Sequence, residues 1–365
     1  MTKRWFDADA AGVAFYAWKA WPVVMQANPN KRFIDTVSAR RDEHVDVSFV
    51  WGLGDRPENV AAREVARRGG AQLVFCEDGF LKSADTWANC GAPLRYRRGC
   101  SVVFDTHRPY FDATGPSDLE LALNDPDFKL SDAELADARR IMGRIVGNRL
   151  TKYNHQPFEC PQVGTPGRSK VLVVDQSYGD FSVRLGMAND KTFSDMLQDA
   201  MRENPDAEIL VKTHPDAMTG ERKGYYDSLR ADGRVFRVTA PVNPYSLLDH
   251  VSKVYVCSTQ MGFEALMAGR EVHVYGMPFY AGWGLTVDRQ RCPRRTARRS
   301  LEEIFHVVYR SYTKWVNPCS GRVCTIDEAI DNLIRLRREY AVAKRFFFLR
   351  SGLRRILGRQ TGIGG

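Results

Sequence analysis

The chain alternates short apolar runs with longer segments whose apolar positions recur at helical spacing, so strands and helices are expected to take turns along it. In the first half, Val45–Trp51 is apolar and β-branched, Asn59–Gly69 has helical periodicity, and Ala71–Cys76 reads as a second strand ending at Glu77-Asp78-Gly79-Phe80. Ser101–Asp105 predicts a third strand. Ser131–Gly147 predicts a helix with a Ser cap and Glu134 three residues on, a pairing that satisfies backbone N–H groups left open at a helix start. The polar stretch 154–169, with Pro157, Pro161, Pro166 and Gly167, predicts a linker.

The alternation then restarts. Lys170–Gln176, Glu208–Thr213, Val235–Thr239, Val254–Val256 and Glu271–Tyr275 predict strands, with helices between them at Lys191–Glu203, Pro244–His250 and Gly262–Ala268. Gly269 is placed to end the last of these, and a Gly- and aromatic-rich loop follows Tyr275. Beyond Thr286 a basic loop leads to helices expected over Ser300–Tyr312 and Ile326–Arg338. The pattern predicts an α/β protein of mostly parallel sheets. Two αβα domains, residues 1–168 and 169–325, are expected to face each other across a cleft, with a C-terminal segment at 326–365.

Composition sharpens this in three places. No run approaches the roughly 18 apolar residues of a spanning helix, and Asp7, Asp9 and Lys19 argue against a signal core at Ala10–Trp18. The eight cysteines form no CxxC pair and several sit in apolar strands, so they are expected to be thiols in a reducing compartment, the cytoplasm. The net charge of +9 is concentrated: from Arg335 to Gly365 nine Lys or Arg face one acid, Glu339, which leaves the body near neutral. That argues against a nucleic-acid-binding face. The Arg335–Arg359 tail interleaves basic and apolar residues at helical spacing, around Phe346–Phe348. It suits an anionic membrane surface, or packing on the first domain, or each over part of its length.

Four polar clusters fall just past apolar strands: Glu77–Gly79, Gln176–Asp180, Lys212–Pro215 and Ser258–Glu264. Ligands of parallel sheets gather beyond the carboxyl ends of strands, so a shared cleft is expected there. Lys212 and His214, one residue apart, point to one face of their strand and suit a phosphate, with Pro215 opening the next helix. Ser258 and Thr259 deliver hydroxyls to a helix start, an anion site. Glu264, a carboxylate in an apolar helical run, needs partners and suits ribose hydroxyls. Of Glu77 and Asp78, adjacent on a strand, one is expected to face the cleft while the other braces the turn. Asp180 is either a reacting carboxylate or the start of an Asx turn. Together these suggest a nucleotide-sugar site. No metal and no cofactor are expected: Asp7-Ala8-Asp9 and Asp125-Pro126-Asp127 do not follow strands, and no zinc spacing or Gly-rich phosphate loop occurs.

Seven segments occur together in this order: EDGFLKS (Glu77–Ser83), YFDATGPSDL (Tyr110–Leu119), TKYN (Thr151–Asn154), VLVVDQSYGDFSVRLG (Val171–Gly186), VKTHPD (Val211–Asp216), GFEALMAG (Gly262–Gly269) and YGMPFYAGWGLT (Tyr275–Thr286). In these the chain closely resembles the capsule polysaccharide β-Kdo transferases of the KpsC type, from about Trp51 to Thr325. Known members carry two such modules in tandem; this chain has one, most like the N-terminal module. The resemblance implies a GT-B fold, a CMP-β-Kdo donor, a lipid-linked or oligosaccharide acceptor, and a metal-independent reaction that retains the anomeric configuration. It implies a nucleophile at Asp180 and an acidic motif at Glu77-Asp78. His214-Pro215 falls on the donor phosphate, with Gln176, Lys212, Ser258, Thr259 and Glu264 around the donor. The family reads EDGF-R-S, so Lys82, beside Ser83, stands where an Arg would bind an acid group of donor or acceptor, and RYRRG (Arg95–Gly99) is unusually basic. Other capsule transferases are possible partners. A transferase of another CMP- or UDP-sugar, or a non-catalytic export or glycan-binding partner, are the alternatives.

Overall fold

Among the described residues the expected alternation is realised as two six-stranded sheets. The structure, a computed structural model, describes residues 12–15, 32–35 and 47–360 except 88, 90, 91, 215–221, 231 and 232, with backbone alone at 12–15, 32–35 and 345–360. Pro215, Asp7, Asp9 and most of the Ala10–Trp18 run therefore lie outside the described residues.

The second sheet has the order β11-β10-β9-β6-β7-β8. It comprises β6 (Lys170–Val174), β7 (Glu208–Lys212), β8 (Val235–Val238), β9 (Lys253–Val256), β10 (Glu271–Val274) and β11 (Val287–Asp288). All its neighbours run parallel. A parallel sheet is covered on both faces, which is why Val171–Val174 and Glu208–Lys212 are buried at every position.

The first sheet has the order β12-β5-β4-β3-β1-β2. It comprises β1 (Gly12–Phe15), β2 (Arg32–Asp35), β3 (Val47–Trp51), β4 (Gln72–Asp78), β5 (Ser101–Asp105) and β12 (Thr313–Trp315). It is mixed: β5 runs antiparallel to both β4 and β12. Thr313–Trp315 thus pair with the first sheet. Trp315 is buried there and donates from Nε1 to the Tyr309 carbonyl at 2.8 Å, while the Tyr312 hydroxyl donates to Asp105 at 2.9 Å.

The Ser131 capping box forms as its sequence predicts, over a helix at Asp132–Gly147. Two helices depart from expectation. The segment expected as one helix over Ser300–Tyr312 is an α-helix at Leu301–Phe305 continued by a π-helix at His306–Tyr312. The C-terminal helix runs on past Arg338, from Ile326 to Gln360. It buries Ile326, Ala329, Ile330, Leu333, Leu336 and Tyr340, a stripe at helical spacing. Tyr340 rests on Tyr96 at 5.1 Å and donates to Asp85, so the helix packs on the first domain at least this far.

Aromatic side chains join the two halves. Phe80, just after β4, packs on Tyr110 (4.8 Å), Phe279 (5.0 Å) and Tyr309 (5.6 Å), and Phe263 lies 5.2 Å from Phe279. The aromatic loop after β10 therefore contributes to this join, and Phe279 also lines the cavity between the halves. The loop also needs Gly262, where a Cβ would come within 2.1 Å of the Tyr280 hydroxyl; that hydroxyl donates to the Thr259 carbonyl at 2.6 Å.

Candidate active site

Residues at or just past the carboxyl ends of β3, β4, β6, β7 and β9 converge on one cavity of about 680 Å³. Trp51, Glu77 and Asp78 line it from the first sheet; Gln176, Ser177, Asp180, His214, Ser258 and Thr259 line it from the second.

On the first-domain side both acids reach the cavity wall, although only one was expected to face the cleft. Neither is spared from bracing. Glu77 Oε1 accepts the Asp78 N–H at 2.9 Å, and the Asp78 carboxylate is ion-paired with the buried Lys82 ammonium. Burial and the neighbouring Asp78 charge push the Glu77 carboxyl up, against Lys152 and Lys82. Lys152 lines the same cavity. Its burial opposes a charge, but Tyr110, Tyr153, Glu77 and Asp78 outweigh that and hold the ammonium protonated. Its carbonyl accepts both the Lys82 and Ser83 N–H groups, at 3.1 and 3.2 Å, clamping the EDGFLKS turn to TKYN. Tyr110, with its phenol pushed up to about 12 chiefly by burial, feels Lys152 together with the carboxylates of Glu77, Asp78 and Asp180.

Across the cleft Asp180 caps a short helix, Phe181–Arg184, its Oδ1 accepting the Ser182 N–H at 2.8 Å. The Asx arrangement and the cavity position thus hold together. Ser177 Oγ holds His214 Nδ1 at 2.9 Å. Gln176 Oε1 accepts the Ser258 N–H at 2.9 Å, and its Nε2 donates to Ser258 Oγ at 3.0 Å. The helix after β9 spans Met261–Met267, beside Ser258, Thr259 and Gln260 on the cavity wall. Its first turn is partly satisfied internally: the Met261 N–H donates to Thr259 Oγ1 at 3.3 Å and the Gly262 N–H to the Thr259 carbonyl at 3.2 Å.

Lys212 and Glu264 stand apart from the large cavity. They line a smaller one of about 180 Å³, which shares Lys152, His214, Thr259 and Gln260 with it. Glu264 Oε1 accepts from Thr151 Oγ1 at 2.5 Å and Gln260 Nε2 at 3.3 Å. Burial lifts its carboxyl to about 7 in spite of these bonds and of Lys152 and Lys212. Burial likewise lowers Lys212 to about 8, with Glu264 opposing. Asp175 lines the same small cavity and is raised to about 6 by burial, against N–H groups of Tyr225, Gln176 and Tyr226.

The cleft therefore brings together Glu77, Asp78, Gln176, Asp180, His214, Ser258 and Thr259, with Lys212 and Glu264 in the adjoining cavity. It does not bring in Lys82 as a free cation, because Asp78 holds it. Nor does it bring in Ser83, which is buried and donates to the Asp85 carbonyl at 2.6 Å. Sequence reading missed Lys152, Tyr110 and Ser177 as site residues, although all three lie in the motifs quoted above. That company was the signal for Lys152 and Tyr110, whereas Ser177 also fell inside the Gln176–Asp180 cluster past a strand.

Two Rossmann-like domains facing across a polar cleft, with a C-terminal helix returning to the first, define the GT-B class of proteins. The chain belongs to the capsule polysaccharide biosynthesis protein family, whose model matches residues 49–316. It is 37% identical over 298 residues to the capsule polysaccharide modification protein LipA of Neisseria meningitidis, covering 79% of this chain and 41% of LipA. It is 35% identical over 284 residues to the lipopolysaccharide-processing protein LpsZ of Rhizobium meliloti, covering 78% of this chain and 62% of LpsZ. The chain thus spans only part of each of these relatives. Among solved structures it resembles the β-Kdo 2,4 transferase of Thermosulfurimonas dismutans KpsC, with TM-score 0.77, 34% identity, and 89% and 98% of the two chains covered. The β-Kdo 2,7 transferase of the same KpsC is similar with TM-score 0.62 and 25% identity, covering 89% and 99%.

Proposed function

We propose that the protein is a retaining glycosyltransferase that moves Kdo, or a closely similar acid sugar, from its CMP-linked form to a glycan or glycolipid acceptor of a bacterial surface polysaccharide. One observation carries the reading: carboxylates from both domains, Glu77 and Asp78 on one side and Asp180 on the other, line a single cavity with Lys152 and His214. The likeness to the KpsC β-Kdo transferases supports the sugar.

In this reading Asp180 attacks the anomeric carbon as the bond to the phosphate oxygen breaks, and CMP departs with the electron pair. The acceptor hydroxyl then attacks the same carbon, passes its proton to Glu77, and frees Asp180 as a carboxylate. Two inversions give retention. Glu77 suits the acid/base part because its environment raises it, whereas Asp78 is committed to Lys82. His214 and Lys152 meet the phosphate charge that develops on leaving, so the step requires no metal. Lys212 and Glu264, with Gln176, Ser258 and Thr259 nearby, hold the nucleoside end.

The test is a transfer assay with CMP-Kdo, CMP-sialate and UDP-sugars as donors, with and without EDTA. Turnover with CMP-Kdo alone, unchanged by EDTA, is the expected result; turnover confined to a UDP-sugar, or a strict need for Mg²⁺, overturns the reading. In the same assay His214→Ala is expected to weaken CMP binding by roughly 10- to 100-fold, the value of one charge-assisted hydrogen bond. Unchanged CMP affinity in calorimetry would remove His214 from the phosphate site.

The Arg335–Arg359 segment is proposed to hold the protein peripherally at the cytoplasmic face of the inner membrane. No helix among the described residues is long and apolar enough to cross a membrane. The helix continues as backbone to Gln360, past Ala343, which packs on the Tyr96–Tyr340 cluster. Deleting Ala343–Gly365 is expected to abolish pelleting with anionic vesicles, while CMP binding persists. Attachment of the full chain should weaken as salt shortens the Debye length below about 8 Å. Equal pelleting of both forms refutes the anchor.

A further inference from the structure

Beside the large cavity lies a second one, of about 330 Å³, that shares Trp51 and Asp78 with it. We propose that this second cavity seats the acid group of the acceptor saccharide; the proposal rests on the transferase reading above. Its wall carries Lys82, Arg97 and Arg98 against the one carboxylate, Asp78. Asp78 is already matched by Lys82, so the two guanidinium groups are left over. Neither Arg97 nor Arg98 pairs with a carboxylate among the described residues. Arg97 leans on Trp87, its guanidinium 4.9 Å from the ring and its Nη1 donating to the Trp87 carbonyl at 3.2 Å. Its Nε is buried and has no hydrogen-bond partner.

A buried guanidinium N–H without an acceptor is costly unless something else supplies the oxygen. An arginine fork matches the two oxygens of a carboxylate or phosphate. Trp51 and Trp87 add flat apolar faces, as a saccharide ring requires of a pocket with few polar groups. A sugar held here by its acid group would reach across Asp78 toward Glu77, the group proposed to accept the acceptor's proton. The basic run 95–99 thereby gains a role that the donor site does not give it. Its helix, Leu94–Arg97, is fixed from behind by Tyr340 on Tyr96, which gives the arginines a rigid footing.

Binding to the full chain, without donor, is measured by calorimetry with the methyl β-glycoside of Kdo, its methyl ester and glucose 6-phosphate. The acid glycoside is expected to bind about 10-fold more tightly than the ester. Arg98→Glu and Arg97→Gln should each weaken it by about 10-fold or more, with CMP affinity unchanged within about twofold. Arg98 is exposed and without an ion-pair partner, so its substitution leaves folding intact even if that of Arg97 does not. Tighter, Arg98-dependent binding of glucose 6-phosphate would make the acid group a phosphate and still support the site. Equal binding of acid and ester, equal binding by variants and wild type, or no binding of either anion overturns it. Failure of CMP to bind, with the acid glycoside still bound through Arg98, would instead sink the donor reading and leave this cavity standing.

Discussion

Asp180→Asn is expected to reduce glycosyl transfer by on the order of 10⁴-fold or more, the scale seen when a covalent nucleophile is removed. CMP affinity should be nearly unchanged. The substitution is unusually clean here. Asp180 caps the helix Phe181–Arg184 through Oδ1 and the Ser182 N–H, and an Asn side chain offers the same oxygen to the same N–H. The local fold, the position of Ser177 against His214 and the Gln176–Ser258 bonds should therefore persist. What is lost is the negative oxygen that would bond to the anomeric carbon. Steady-state transfer, CMP calorimetry and mass spectrometry of the protein after donor addition read the three consequences separately. The wild type is expected to accumulate a sugar adduct when acceptor is withheld, and the variant none. Transfer by the variant at more than a small percentage of the wild-type rate would exclude Asp180 as nucleophile.

Much of this site was legible because strand ends carry ligand groups in parallel sheets. The buried runs at β6, β7 and β9 could hardly be misread, and the polar residues after them had to fall at one edge of the second sheet. What sequence could not give was depth. Lys212 follows the same rule as His214, yet it lines the smaller cavity with Glu264, because β7 is buried along its whole length. Lys82 reads as an exposed anchor for an acid group, but the turn after β4 folds it back onto Asp78. Ser83 is turned inward by the same bend. The mixed first sheet was hidden for a different reason. β12 is three residues long and arrives from the far side of the second domain, and no local pattern announces a pairing so distant in sequence. Lys152 was missed because it sits in a turn between a helix and the linker, where a lysine is ordinarily a solvated residue. Only the folded chain brings it against Glu77, Asp78 and Tyr110.

Lys152→Met is expected to lower transfer by about 100-fold or more, the cost of deleting one preorganised charge at a developing anion. It should also destabilise the fold by on the order of 3 kcal/mol, since it strips a cation from a set of partly buried carboxylates. Direction with pH distinguishes this from simple loss of packing. Lys152 favours the ionised forms of Glu77 and Glu264, so its removal raises both carboxyls further above their ordinary value. Glu264 already stands at about 7 in the fold against 4.5 for the free group. With the folded value above the unfolded one, the folded state binds more protons between the two, and stability falls as pH rises through that window. The variant widens the window upward. Its deficit against wild type should therefore be small at about pH 5 and largest at about pH 8.5, where both carboxylates are ionised and have lost their counter-charge. Urea unfolding of the two proteins at the two pH values measures it, with Lys152→Arg expected to recover most of the stability but less of the rate. A deficit equal at both pH values would mean that Lys152 contributes packing alone, and the charge network across Glu77, Asp78 and Glu264 would have to be held together by other groups.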